Sequence, residues 1–234
     1  MKVIFTCGGT AGHVNPALAL AGYLREKDAS TEILFVGAER GLERDLIAHT
    51  DYPFRTVNIS SFHRSFKPAE IKHNLVSLKN LAHAEREANA ILKDFRPDLI
   101  VGLSLGGFWA QKLRGYRKIL VNPDFHISRL LRTMTGEREY LSPRRDGALT
   151  FTVTDALCDE YARLESVEFD GLASEEVALT TGMFADRDEM VNCKDEFEAY
   201  YPGRSRSYPG THLPNYPEIK KYILPVIEYE VSDK

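Results

Sequence analysis

Residues 97–113 read Pro-Asp-Leu-Ile-Val-Gly-Leu-Ser-Leu-Gly-Gly-Phe-Trp-Ala-Gln-Lys-Leu. Residues 98–102 form a short apolar run with the character of a buried strand, and residues 108–113 have helical spacing. Between them Gly102-Leu103-Ser104-Leu105-Gly106 matches G-x-S-x-G. On a tight strand-to-helix turn this pattern presents its serine at the carboxyl end of a strand. Glycines flank the serine because a Cβ there would block the close approach of strand and helix. The helix N-terminus beyond favours developing negative charge. The plainer alternative is a glycine-rich turn carrying a solvent-facing serine.

Upstream, short β-rich runs at residues 2–6, 32–36 and 55–59 alternate with helical patterns at residues 16–27, 42–48 and 71–95. Such alternation predicts right-handed βαβ units around a parallel sheet. Downstream, strands are expected at residues 118–122, 176–181 and 204–208, and helices at residues 156–165, 194–201 and 217–229. Residues 124–150 read as a loop or small cap. The predicted fold is a three-layer α/β sandwich with a mostly parallel, doubly wound sheet. Its N-terminal half is Rossmann-like and continues into an α/β-hydrolase-like C-terminal half, and residues 1–234 form one domain.

A serine on such a turn needs a base and an orienting acid, in the chain order Ser, Asp or Glu, His. Residues 182–191 follow a predicted strand and carry Asp186 and Asp188. Residues 209–213, Pro-Gly-Thr-His-Leu, follow the last strand and carry His212. His212 is the expected base and Asp188 the expected acid, with Asp186 its rival. Taken singly, each is equally a loop residue with no task; in order, each just past a strand, they point to a serine hydrolase.

Composition narrows the partners. Net charge is −4 and no basic stripe interleaved with aromatics appears, which argues against nucleic acid. Cys7, Cys158 and Cys193 are odd in number and widely spaced, fitting neither a disulfide framework nor paired zinc ligands. Asp124 and His126 follow a strand, but no third ligand is evident in the sequence, so no metal site is expected. No cofactor is expected either. The N-terminus lacks the apolar region of a signal peptide, and no apolar run reaches the roughly 20 residues that span a bilayer. A cytoplasmic protein without stable membrane insertion is expected. The apolar stripe of residues 71–95, and the tyrosines at 200, 201, 208 and 216, read as packing.

The pieces GLSLGGFWAQKL, ILVNPDF, TTGMFADRDEMV and YPGTHLPNYPEIKKYI resemble small bacterial α/β-hydrolase esterases of the YqiA/YcfP type. The resemblance runs from about residue 98 to the C-terminus. It implies hydrolysis of a small acyl ester or thioester, with Ser104 as nucleophile, Asp188 as acid and His212 as base.

The first half resembles something else. Thr6-Cys7-Gly8-Gly9-Thr10-Ala11-Gly12-His13 is a glycine-rich strand-to-helix turn whose N–H groups suit an anion. With FVGAERGLERDLI, YPFRTVNISSFHR and LKNLAHAEREANAILKDFRPDLIVG, residues 1–102 are similar to the acceptor half of the peptidoglycan glycosyltransferase that adds N-acetylglucosamine to lipid I. By that resemblance Gly8, Gly9, Thr10, Gly12 and His13 form a phosphate-type loop, and His13 matches a candidate base. Ala11 stands where that family has glycine. The residues after Gly102 hold neither that family's second glycine loop nor its nucleotide-sugar domain. The chain therefore reads as a chimera joined near residues 97–102. In both parent folds the first strand neighbours the strand ending at Gly102, so the glycine loop should lie beside Ser104. The expected oxyanion donors are the N–H groups of Leu105 and of Gly8 or Gly9, with His13 crowding the site. Weak esterase activity is expected. The rival readings are an inert chimeric scaffold and a pyrophosphate- or nucleotide-sugar-binding remnant.

Overall fold

The computed structural model describes residues 1–8, 11–38, 41–57, 73–140 and 147–232. In chain order the elements begin with β1 (Lys2–Cys7), α1 (Ala11–Lys27), β2 (Glu32–Ala38), α2 (Leu42–Ile47), β3 (Phe54–Val57) and α3 (His73–Phe95). They continue with β4 (Leu99–Leu103), α4 (Leu105–Gln111), β5 (Lys118–Val121), α5 (Ile127–Arg132), β6 (Gly136–Glu139) and β7 (Thr150–Val153). The last are α6 (Asp155–Ser166), α7 (Ser174–Leu179), β8 (Thr180–Ala185), α8 (Lys194–Tyr200), β9 (Ser205–Tyr208), α9 (Tyr216–Glu218) and α10 (Leu224–Ser232). A π-helical turn, Ile219–Ile223, joins α9 to α10.

Seven strands form one sheet in the order β3-β2-β1-β4-β5-β8-β9, every neighbour parallel. The sheet passes without a break from the glycosyltransferase-like segment to the hydrolase-like one, through the pairing of Thr6 with Gly102 and Cys7 with Leu103. Strand residues are buried on both faces because helices cover both. Val3, Phe5, Leu99 and Val101 face α1 and the closing helix, through Leu20, Ile219, Ile223 and Ile227. Ile4, Ile100 and Leu120 face the opposite layer, which holds Leu92, Phe108, Tyr161 and Phe197. The result is a three-layer α/β sandwich. Strand order reverses at β1 and β4, and the carboxyl ends of strands at such a point form a crevice.

Three elements differ from the sequence reading. Helix α1 starts at Ala11, five residues before Pro16; the proline forfeits only its bond to the Gly12 carbonyl. Residues 176–179 belong to α7, and the strand is Thr180–Ala185. Val177, Thr180 and Thr181 have strand character, but Glu175 and Glu176 suit a helix N-terminus. Glu176 also accepts from the Gly115 N–H and from buried Lys118 Nζ, the latter at 2.8 Å, which fixes that turn. The described part of residues 124–150 contains α5 and β6, which pairs antiparallel with β7, while residues 141–146 lie outside the described residues.

Candidate active site

Ser104 stands between β4 and α4 with φ 52° and ψ −118°, a conformation that costs a non-glycine residue about 1–3 kcal/mol. The turn is over-determined. The Ser104 N–H donates to the Val121 carbonyl at 2.9 Å, and its own carbonyl accepts from Gly107 N–H at 2.8 Å. A Cβ at Gly106 would lie 2.0 Å from the Thr6 carbonyl oxygen, and one at Gly102 would lie 2.8 Å from the Gly107 Cα. Only glycine lets α4 settle this closely on β1 and β4.

The turn aims Ser104 Oγ at His212 Nε2, 3.0 Å away. His212 Nδ1 lies 2.8 Å from Asp188 Oδ2. The acid on the ring is thus Asp188 and not its rival Asp186, whose N–H is bonded to the Tyr208 carbonyl at 2.9 Å. Asp188 follows β8 in a turn where its Oδ1 accepts from the N–H groups of Met190 at 2.9 Å and Val191 at 2.8 Å. Although burial opposes its charge, the His212 ring and these donors hold its carboxyl below the ordinary range. Ser104 is 7% exposed and His212 5%. Asp188 therefore accepts a hydrogen bond from the His212 Nδ1–H, which turns Nε2 towards Ser104 as an acceptor.

Asn122 holds this arrangement from behind and was not singled out in the sequence. It follows β5 with φ 44°. Its Nδ2 donates to the His212 carbonyl and to Tyr208 Oη, both at 2.8 Å. Its Oδ1 accepts from the Ala185 N–H at 2.8 Å. One buried amide thus fixes the loop of the base to the strand that leads to the acid.

The glycine loop lies where strand pairing puts it. A Cβ on Gly8 would sit 3.1 Å from Leu105 Cδ2, so Gly8 backs onto the residue after the serine. Leu105 opens α4, and first-turn N–H groups have no intrahelical acceptor. Gly12 and His13 lie in the first turn of α1; Gly9 and Thr10 fall outside the described residues. His13 Nε2 reaches His212 Nε2 at 3.2 Å, the two rings edge-on. Burial first, then repulsion by His212, lowers the His13 imidazole to about 4 against the pull of Asp188. His13 is therefore neutral at pH 7. Since His212 Nε2 is an acceptor, a hydrogen bond between the rings requires His13 to donate its Nε2–H. His13 and Ser104 then compete for one lone pair.

A parallel sandwich that carries a buried serine in a strained turn after β4, an aspartate after β8 and a histidine after β9 is α/β-hydrolase-like in fold. The chain belongs to the uncharacterised protein family UPF0227, which it matches over residues 60–229; this is the YqiA/YcfP group that its second half resembles. Residues 3–112 also match the glycosyltransferase family 28 N-terminal domain. The chain is 42% identical over 108 residues to the UDP-N-acetylglucosamine--N-acetylmuramyl-(pentapeptide) pyrophosphoryl-undecaprenol N-acetylglucosamine transferase of Acetivibrio thermocellus. It is 44% identical over 108 residues to the enzyme of that name from Leuconostoc mesenteroides. Each match covers 46% of this chain but 28% of the relative. A crystal structure of Acinetobacter baumannii MurG superposes with a TM-score of 0.42 and 16% identity, covering 89% of this chain and 67% of that one. Among the described residues no helix is long and apolar enough to cross a membrane.

Proposed function

We propose that this protein is a serine hydrolase of small carboxylic esters or thioesters. The carrying observation is the continuous chain from Ser104 Oγ through His212 to Asp188. Ser104 Oγ attacks the acyl carbon while its proton passes to His212 Nε2, and Asp188 stabilises the imidazolium. His212 then returns that proton to the leaving alkoxide or thiolate. Water, deprotonated by the same nitrogen, attacks the acyl-serine; the carbon–Oγ bond breaks and His212 returns the proton to Ser104 Oγ. The N–H groups of Leu105 and Gly8 are the oxyanion donors in this reading, with Gly9 the alternative second donor. That loop belongs to the glycosyltransferase-like segment, and a misaimed donor costs about 10²–10³ in kcat, so activity is weak. The sheet shared by the two segments makes them one working domain, and the cytoplasm suits three free, buried thiols.

Asp188→Asn tests the roles. Hydrolysis of a short-chain nitrophenyl ester is expected to fall about 10⁴-fold in kcat, as for a lost orienting acid, while Asp186→Asn stays near wild type. Equal effects of the two would contradict the assignment. One observation favours a second reading, a folded scaffold with an idle triad. His13 Nε2 lies 3.2 Å from the same His212 nitrogen that Ser104 Oγ faces at 3.0 Å.

A further inference from the structure

Asp124 and His126 follow β5, and the fold supplies what their sequence neighbourhood lacks. His126, Cys193 and Glu196 each offer one ligand atom, an imidazole nitrogen, a thiol sulfur and a carboxylate oxygen, all within 4.8 Å of one another. His126 Nε2 and Glu196 Oε2 are 2.7 Å apart. Cys193 caps the N-terminus of α8, Glu196 lies one turn further on, and His126 caps α5. His126 thus follows β5 and Cys193 follows β8, both on the carboxyl side of the sheet, with Glu196 in the first turn of α8. Cys193 is buried, whereas the His126 and Glu196 side chains are each 32% exposed.

The surroundings also suit a bound cation. Asp124 Oδ1 accepts from the His126 backbone N–H at 2.9 Å, which fixes the turn that carries the imidazole. A mixed sulfur, nitrogen and oxygen set with an open fourth position is zinc-like rather than calcium- or magnesium-like.

We propose that His126, Cys193 and Glu196 bind one divalent transition-metal ion of the zinc class, with water as the fourth ligand. Binding replaces the thiol proton by a sulfur–metal bond and releases that proton to solvent. Because the thiol gives up its proton on binding, uptake is expected to weaken as pH falls. The ion would clamp the loop bearing Asn122 and His126 to the segment that follows Asp188. This site is independent of whether Ser104 is active.

Cobalt titration of the metal-stripped full chain tests it. One equivalent of Co²⁺ is expected to produce a thiolate-to-cobalt charge-transfer band, with loss of one proton per ion. Cys193→Ser is expected to abolish the band. His126→Gln and Glu196→Gln, both partly exposed side chains, are expected to weaken binding by more than the roughly tenfold to hundredfold that outer partners command. His13→Ala and His212→Ala are expected to leave the band intact, which separates this site from the histidine pair beside Ser104. No band, a band that survives Cys193→Ser, or cobalt binding lost with His212→Ala would overturn the proposal. Circular dichroism of each variant checks that it is folded.

Discussion

The smallest scale on which this protein can be understood is one nitrogen lone pair. His212 Nε2 faces both Ser104 Oγ and His13 Nε2, at 3.0 Å and 3.2 Å. A neutral hydrogen bond is worth about 1 kcal/mol net, so removing the competing donor should quicken attack by Ser104 about fivefold. His13→Leu is expected to raise the rate of covalent serine labelling by that factor; an unchanged or slower rate would contradict the competition. The same residue carries a pH signature. His13 is held at about 4, whereas the unfolded chain titrates near the ordinary value. Between those values the unfolded state binds a proton that the folded state does not, so stability is full above the window and lost as pH falls through it. The urea midpoint of wild type is expected to drop more than that of His13→Leu between about pH 7 and about pH 4.5.

At the level of elements, the strand–helix alternation was legible because glycines, prolines and apolar runs punctuate it. Residues 176–179 were misread because β-formers such as Val177 carry the local signal, while the Lys118 partner of Glu176 lies far away in sequence. The site was legible as far as it follows chain order: Ser104, an acid after one strand, a histidine after the next. The choice of acid was not, because it depends on a turn in which Asp188 Oδ1 gathers two backbone N–H groups while the Asp186 N–H pairs with β9. Asn122 was hidden for a related reason. Its partners are a distant backbone carbonyl, a distant backbone N–H and the hydroxyl of Tyr208. Asn122→Ala strands all three in a buried setting and is expected to cost about 3 kcal/mol, read from urea unfolding, and to depress hydrolysis. Lost stability without lost activity would show that Asn122 does not position His212.

The whole molecule carries its two family resemblances on one sheet, and its closing helix locks the hydrolase-like side. Glu230 on α10 accepts from Arg117 at 2.9 Å, Arg204 at 2.8 Å and Thr181 Oγ1 at 2.5 Å, tying the helix to three strands at their amino ends. Glu230→Leu leaves two arginines without their buried partner and is expected to cost about 3–5 kcal/mol. A urea midpoint unchanged from wild type would deny that role. None of these ties was legible locally, since each spans tens of residues. The two resemblances, by contrast, were legible from motifs alone, and they meet where β1 pairs with β4.

The central claim is that this composite sheet still activates Ser104. Treatment with a fluorophosphonate probe tests it most directly, comparing wild type with Ser104→Ala and His212→Ala. The account predicts covalent labelling of wild type that both substitutions abolish. A folded wild type that takes no label, or labelling that persists in Ser104→Ala, would contradict it.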